Sequence, residues 1–275
     1  MDPVQYEGDR LRGWEVACPS RPSPLDGVVV AGFRDRAAAG LDMRVIPQPT
    51  VTVVIELGDD ALAVDNTSGS RALRSLAAGL APGEVRIRGQ RVDCVELRMS
   101  PVSAYSLLGV SLSDLNGLVI GLDELWRHEP RLREQLTAAK EWEGRFALMD
   151  EFLTRRQASA RSMDPEVVAS WEHIVSRRGQ VRVGDLALSC GWSRKRLWSR
   201  FTAQVGLTPK RAAMLVRFDR AVRGLSAGRG AAEVAVACGY ADQSHLHRDV
   251  LAFAGCTPGA LGPPPDTDTA AGSHW

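Results

Sequence analysis

Two short stretches of this 275-residue chain gather side chains that can hydrogen-bond to a polyanion. The first holds Ser193, Arg194, Lys195, Arg196, Trp198, Ser199 and Arg200; the second holds Gln243, Ser244, His247 and Arg248. Arginine and lysine neutralise phosphate. Arginine's paired donors also match the major-groove edge of guanine, and glutamine's donor and acceptor match adenine. Apolar residues recur beside them at four-residue steps: Leu197, Phe201 and Val205 in one stretch, Leu246 and Val250 in the other. Each stretch is therefore predicted to be a helix with one buried and one polar face.

The elements that must position these helices repeat. Ala187, Cys190, Gly191 and Trp192 recur as Ala235, Cys238, Gly239 and Tyr240, an offset of 48 residues. Leu197, Phe201, Gly206, Thr208 and Pro209 recur as Leu246, Val250, Gly255, Thr257 and Pro258, an offset of 49. Small Ala187 and Ala235 permit two helices to cross closely. Gly191 and Gly239 can take the positive φ of a tight turn. Ser193 and Asp242 are N-caps for the second helix of each copy. Each copy is thus predicted to be a helix-turn-helix. Thr208-Pro209 opens a longer helix through about Leu225, ended by Gly228. It spans about 25 Å, enough to set two reading helices near one DNA turn of about 34 Å.

Plainer readings compete at several positions. A basic face can be merely solvated, and it is the repeat that tips Arg194, Lys195, Arg196 and Arg200 toward DNA. Trp198 either packs or touches a thymine methyl. His245 and His247, with Cys238 and Cys256, invite a zinc site. Residues two apart on a helix point about 200° apart, so both histidines cannot face one ion, and no metal is expected. Cys190 and Cys238 precede the turn glycines and read as small core residues. Cys18 and Cys94 lie in the N-terminal region, where a sensing thiol is the less favoured reading.

The N-terminal hundred residues read as strands. Val51–Leu57 is β-branched and bounded by Pro47, Pro49 and Gly58. Asp93–Met99 alternates, with Val95, Leu97 and Met99 on one face. Short apolar runs at Val28–Phe33, Leu62–Val64 and Val85–Ile87 complete a pattern that suits a small sandwich or barrel. Ser100-Pro101 then opens a helix through about Leu108. From Asp123 to about Ser159 the chain reads as helical, with an apolar stripe of Leu132, Leu136, Ala139, Phe146, Met149, Phe152 and Leu153. Arg155–Ser162 reads as a linker, and Asp164-Pro165 starts a new helix that Gly179 closes. The expected fold class is α+β: a β-rich part with trailing helices, then an all-α part of two helix-turn-helix units joined by a long helix. The expected divisions are 1–122 for the sheet region, 123–162 for a helical connector that could carry dimerisation, 163–262 for DNA binding, and a disordered tail at 263–275.

Charge follows this division. Residues 163–262 carry 14 Lys/Arg against 8 Asp/Glu, whereas residues 1–162 carry 20 against 23. The basic excess sits where a polyanion would bind. No apolar run approaches the roughly 18 residues of a membrane span. The N-terminus lacks a basic stretch followed by an apolar segment, and the five cysteines show no CxxC spacing, so a reducing cytoplasm is expected. Residues 1–127 contain no histidine, which argues against a metal-dependent barrel enzyme. With no phosphate loop and no nucleophile elbow, no catalytic residue or cofactor is predicted.

The second copy, A-x-x-CGY-x-D-x-SHL-x-R from Ala235 to Arg248 followed by G-x-TP from Gly255 to Pro258, resembles the signature of the AraC/XylS family. The first copy, A-x-x-CGWS-x-x-x-L from Ala187 with F-x-x-x-x-G-x-TP from Phe201, fits the same pattern. The resemblance implies a seven-helix DNA-binding domain with two recognition helices, and a role for His245 in fixing a helix start. It also implies a sensory N-terminal half, often a cupin-like barrel. Three positions depart. Ser199, followed by Arg200, stands where the family often has arginine; Val250 stands where it usually has phenylalanine; and Ala260 and Leu261 occupy the place of a closing arginine. Base-by-base transfer in the first recognition helix therefore stays open. The implied function is a sequence-specific transcription regulator, by family habit an activator, with double-stranded DNA, RNA polymerase, a small effector and a second copy of itself as partners. The alternatives are a regulator without ligand, controlled by a protein partner, and a DNA-binding repair enzyme, which the missing histidines disfavour.

Overall fold

The computed structural model describes residues 13–261, apart from positions 67, 68, 82 and 159. The expected disordered tail at 263–275 lies outside the described residues.

Among the described residues, ten strands form two antiparallel sheets. They are β1 (Trp14–Ala17), β2 (Val28–Asp35), β3 (Leu41–Arg44), β4 (Val51–Glu56), β5 (Leu62–Asn66), β6 (Gly69–Leu73), β7 (Ser75–Ala78), β8 (Arg86–Gly89), β9 (Asp93–Met99) and β10 (Val119–Gly121). One sheet runs β1-β2-β9-β4-β7-β10 and the other β3-β8-β5-β6. In the larger sheet β9 lies between β2 and β4, with Leu97 opposite Val30 on one side and Val53 on the other.

Period-two alternation sorts this sheet's side chains between two cores. Ala31, Phe33, Leu76, Ala78 and Cys94 join Leu62, Val64 and Ile87 of the smaller sheet. Val30, Val51, Val53, Ile55, Val95, Leu97 and Met99 face the other way, into a core shared with helices. The alternation predicted for β9 is thus observed, with Val95, Leu97 and Met99 buried and Glu96 and Arg98 half-buried on the other face.

The helices over that face are α1 (Pro101–Leu108), α2 (Glu129–Ala138) and α3 (Trp142–Gln157). Ser100 caps α1 by accepting from the Ser103 amide at 3.1 Å, with Pro101 in the first turn. The single helical run expected from Asp123 to Ser159 is in fact divided. A short 3-10 turn covers Leu122–Glu124, α2 ends at Ala138 in extended backbone at Ala139, and α3 starts afresh at Trp142. The break has a physical use. Arg145, 4% exposed, turns back to donate to the Ala139 carbonyl at 3.0 Å and pairs with Asp93 of β9 at 2.8 Å. Trp142 lies over Gly32, where a Cβ would fall 2.3 Å from the indole. The stripe Leu132, Leu136, Phe146, Met149 and Leu153 is buried against the sheet. The apolar surface first considered for dimerisation is therefore spent inside the chain.

The C-terminal part is all helical: α4 (Pro165–Ser176), α5 (Val183–Ser189), α6 (Arg194–Val205), α7 (Pro209–Ser226), α8 (Ala231–Cys238) and α9 (Gln243–Ala254). Its core is continuous with the helical side of the larger sheet, through Leu112 and Leu115 beside Val205 and Leu207. Burying four such side chains stabilises the junction by about 1.5–3 kcal/mol each. No helix among the described residues is long and apolar enough to cross a membrane.

Candidate nucleic-acid interface

Both helix-turn-helix units form as their residues dictate. Leu186 and Ala187 of α5, and Val234 and Ala235 of α8, are at most 2% exposed. Gly191 and Gly239 adopt φ of 65° and 75° in the two turns. Ser193 Oγ accepts from the Arg196 amide at 3.2 Å and caps α6; the Asp242 carboxylate accepts from the His245 amide at 2.7 Å and caps α9. Leu197, Phe201, Val205, Leu246 and Val250 have no exposed surface.

The helix α7 holds the two units together. Thr208 caps it through the Arg211 amide at 3.2 Å, and its 18 residues span about 27 Å at 1.5 Å per residue. Phe218 of α7 stacks on Phe253 of α9 with ring centroids 5.0 Å apart. Arg217 of α7 pairs with buried Asp249 of α9 at 3.0 Å and lies 4.6 Å over the Tyr240 ring. Burial, reinforced by the nearby Asp249 charge, pushes the Tyr240 phenol well above its ordinary pKa. His245 meets the same ring edge-on at 5.1 Å.

All eleven side chains singled out in the sequence are exposed: Ser193, Arg194, Lys195, Arg196, Trp198, Ser199 and Arg200 on the first unit, and Gln243, Ser244, His247 and Arg248 on the second. They differ in what they already touch. Trp198 is 54% exposed, so it does not fill the core. The Ser193 hydroxyl is engaged by the cap. Arg196 lies 4.4 Å over the Trp192 ring, which fixes its direction. Arg248 Nε donates to the Ser244 carbonyl at 3.4 Å.

Arg200 has a stronger commitment. Its Nε and Nη2 donate to both Asp164 carboxylate oxygens at 2.6 and 2.7 Å. The Arg200 hydrogen bond holds the Asp164 carboxyl below its usual range. Asp164 stands at the N-cap of α4, but its side chain makes no capping hydrogen bond there. Its amide instead donates to Gln204 Oε1 of α6 at 2.9 Å. Asp164, Gln204, Arg217 and Asp249 thus set the recognition helices in place, and sequence reasoning missed all four roles. Their one signal was polar or charged residues at positions that helical periodicity assigns to the inner face, such as Gln204 beside Val205 and Asp249 beside Val250.

The N-terminal part grips both recognition helices at equivalent points. Gly206 and Gly255, the paired glycines of the repeat, end α6 and α9 at φ of 86° and 62°. A Cβ on Gly206 would lie 2.5 Å from the Leu112 carbonyl oxygen, and one on Gly255 would lie 2.2 Å from Glu84 Oε1. Arg44 donates to the Ala254 carbonyl at 2.9 Å, and Ser111 Oγ donates to the Ala203 carbonyl. These contacts sit at the C-terminal ends and leave the N-terminal turns of both helices open.

The match to a family model agrees with this geometry. Residues 186–262 match the family model described as "Helix-turn-helix domain". No curated protein matches the chain. Among solved structures, ToxT from Vibrio cholerae is 11% identical, with 86% of this chain and 97% of that chain covered at a TM-score of 0.48. The C-terminal domain of AraT, a response regulator from Geobacillus stearothermophilus, is 17% identical over 41% of this chain and 98% of its own, at 0.35. The xylose-binding transcription activator XylR is 21% identical over 43% of this chain and 37% of its own, at 0.33. Residues 186–262, which carry the doubled capped-helix unit, are a helix-turn-helix domain.

Proposed function

We propose that one copy of this chain reads two successive major grooves on one face of a duplex. Helix α6 enters one groove with Arg194, Lys195, Trp198 and Ser199; helix α9 enters the next with Gln243, Ser244, His247 and Arg248. Arg196 and Arg200 serve as outer contacts, to phosphate. The observation that carries this reading is the exposure of both sets of side chains on two helices that α7 locks into one core. The matching experiment is a binding titration on a selected site against random DNA over a range of salt. Specific binding should exceed non-specific binding by roughly a thousandfold or more and fall steeply with salt as counterions are released. A flat salt response would contradict phosphate contact by these helices.

We further infer a division of labour. Residues 163–262 bind DNA, residues 1–122 form a sensory part for a small effector, and residues 123–162 connect them. The grips on Gly206 and Gly255 favour this, because they give the N-terminal part a hold on both recognition helices. On this reading the chain activates transcription by contacting RNA polymerase in the cytoplasm and needs neither cofactor nor catalytic residue. A second copy would pair through the outer, polar faces of α2 and α3, since their apolar stripe is buried.

A further inference from the structure

We propose that the loop between α4 and α5 makes a third contact to DNA, with Arg177 and Arg178 on the phosphates that border the minor groove between the two major grooves. The proposal rests on the two-groove reading and adds a contact from outside both recognition helices.

The loop belongs to the first unit by chain and touches the second in space. It runs from the end of α4 at Ser176 to the start of α5 at Val183. Gly179 presses on the first half of α7, where a Cβ would lie 2.2 Å from the Ala213 carbonyl oxygen. Gln180 lies against the turn of the second unit, its Nε2 2.6 Å from where a Cβ on Gly239 would stand. The loop is thus wedged between the two units, on the helix that joins them. Gly239 stands four residues before Gln243, where α9 begins, so at most about 14 Å of chain separates this contact from the reading turn. Phosphates midway between two grooves about 34 Å apart lie roughly 17 Å from each centre, a distance that the loop and a long arginine side chain can cover.

The side chains are ready for such a partner. Arg177 and Arg178 are exposed, and among the described residues neither guanidinium makes a hydrogen bond or ion pair. Residues 177–182 read Arg-Arg-Gly-Gln-Val-Arg, with no acidic side chain. Arg178 also sits in strained backbone. Its φ is 56°, directly before Gly179 at 76°, in the left-handed region that favours glycine or asparagine. Either of those would make the turn with less strain, which points to a use for the arginine side chain itself.

The plainer role for two arginines at the end of α4 is to offset the partial negative charge of its C-terminus. That role acts on stability and leaves DNA binding unchanged, so the two are separable.

The test uses the full chain on a selected duplex. Phosphate ethylation between the two clusters of base contacts should interfere with binding, and R177Q/R178Q should lose that interference while keeping both clusters. The log–log salt slope should become shallower by about 0.9 for each arginine removed, with similar losses on specific and random DNA. R178G supplies a folding control, because glycine relieves the left-handed backbone. Its unfolding midpoint should not fall, and its slope should still become shallower by about 0.9. An unchanged slope in both variants overturns the proposal, and so does a lowered midpoint for R178G at unchanged slope, which would assign Arg178 to the turn alone. Base methylation on the same duplex reports the two grooves separately. Two clusters with no ethylation interference between them overturn this contact alone, whereas a missing cluster removes the two-groove reading and this contact with it.

Discussion

Gly206 ends the first recognition helix at φ 86°, and the space its missing side chain leaves is filled by the Leu112 carbonyl. Gly206→Ala therefore costs free energy in two ways. An alanine in the left-handed region costs about 1–2 kcal/mol. Its Cβ would also stand 2.5 Å from a backbone oxygen, where ordinary contact begins at 3.4 Å, so α6 and the 3-10 turn at Leu112–Leu115 must separate by most of an ångström. Both leucines of that turn are almost fully buried, so the separation disturbs a packed junction at about 1–3 kcal/mol. The sum is about 2–5 kcal/mol. Gly191→Ala is the control. It has φ 65° but nothing within 4 Å of a Cβ, so only the backbone cost of about 1–2 kcal/mol applies. Urea unfolding of the two full-length variants should separate them by roughly 1–3 kcal/mol. Equal losses would refute the docking of α6 on the N-terminal part.

Three further outcomes are expected. Asp164→Asn should release Arg200 from its fork and steepen the log–log salt dependence of DNA binding by about one, measured by fluorescence anisotropy; an unchanged slope would mean Arg200 stays away from phosphate. Arg248→Ala should cost about 1–3 kcal/mol on the specific site if Arg248 reads a base; an equal loss on random DNA would make it a phosphate contact. Glu56 is buried beside Asp93 with Oε2 unpartnered, and burial raises its carboxyl pKa to about 7. Since the folded value lies above the unfolded 4.5, stability should fall as pH rises from about 4.5 to 7 and level off above, by about 3 kcal/mol in all. Glu56→Gln should flatten that fall in unfolding measured from pH 4.5 to 8; a parallel curve would place the titration elsewhere.

Much of the reading unit was legible because its determinants are local. Ser193 and Asp242 cap the helices, Gly191 and Gly239 make the turns, and Pro101 and Pro209 begin helices where first-turn prolines should. Strand β9 has the predicted ends because its alternation matches one buried and one half-buried face. What stayed hidden depends on residues distant in sequence. The break after Ala138 follows from Arg145 reaching Asp93, and the placing of β9 between β2 and β4 follows from long-range pairing. At the site, the exposed residues were readable from helical period. The engagement of Arg200 by Asp164 and of Arg196 by Trp192 needed coordinates. Gly206 and Gly255 carry two duties, ending helices and admitting the N-terminal part, and sequence revealed only the first.

The most direct test is methylation interference on a selected binding site with the full chain. Two clusters of major-groove guanine or adenine contacts per copy, centred about 10–11 base pairs apart on one face of the duplex, are the expected result, with Arg248→Ala erasing contacts in one cluster only. A single cluster, or a second that survives only when two copies are bound, would contradict the simultaneous insertion of α6 and α9.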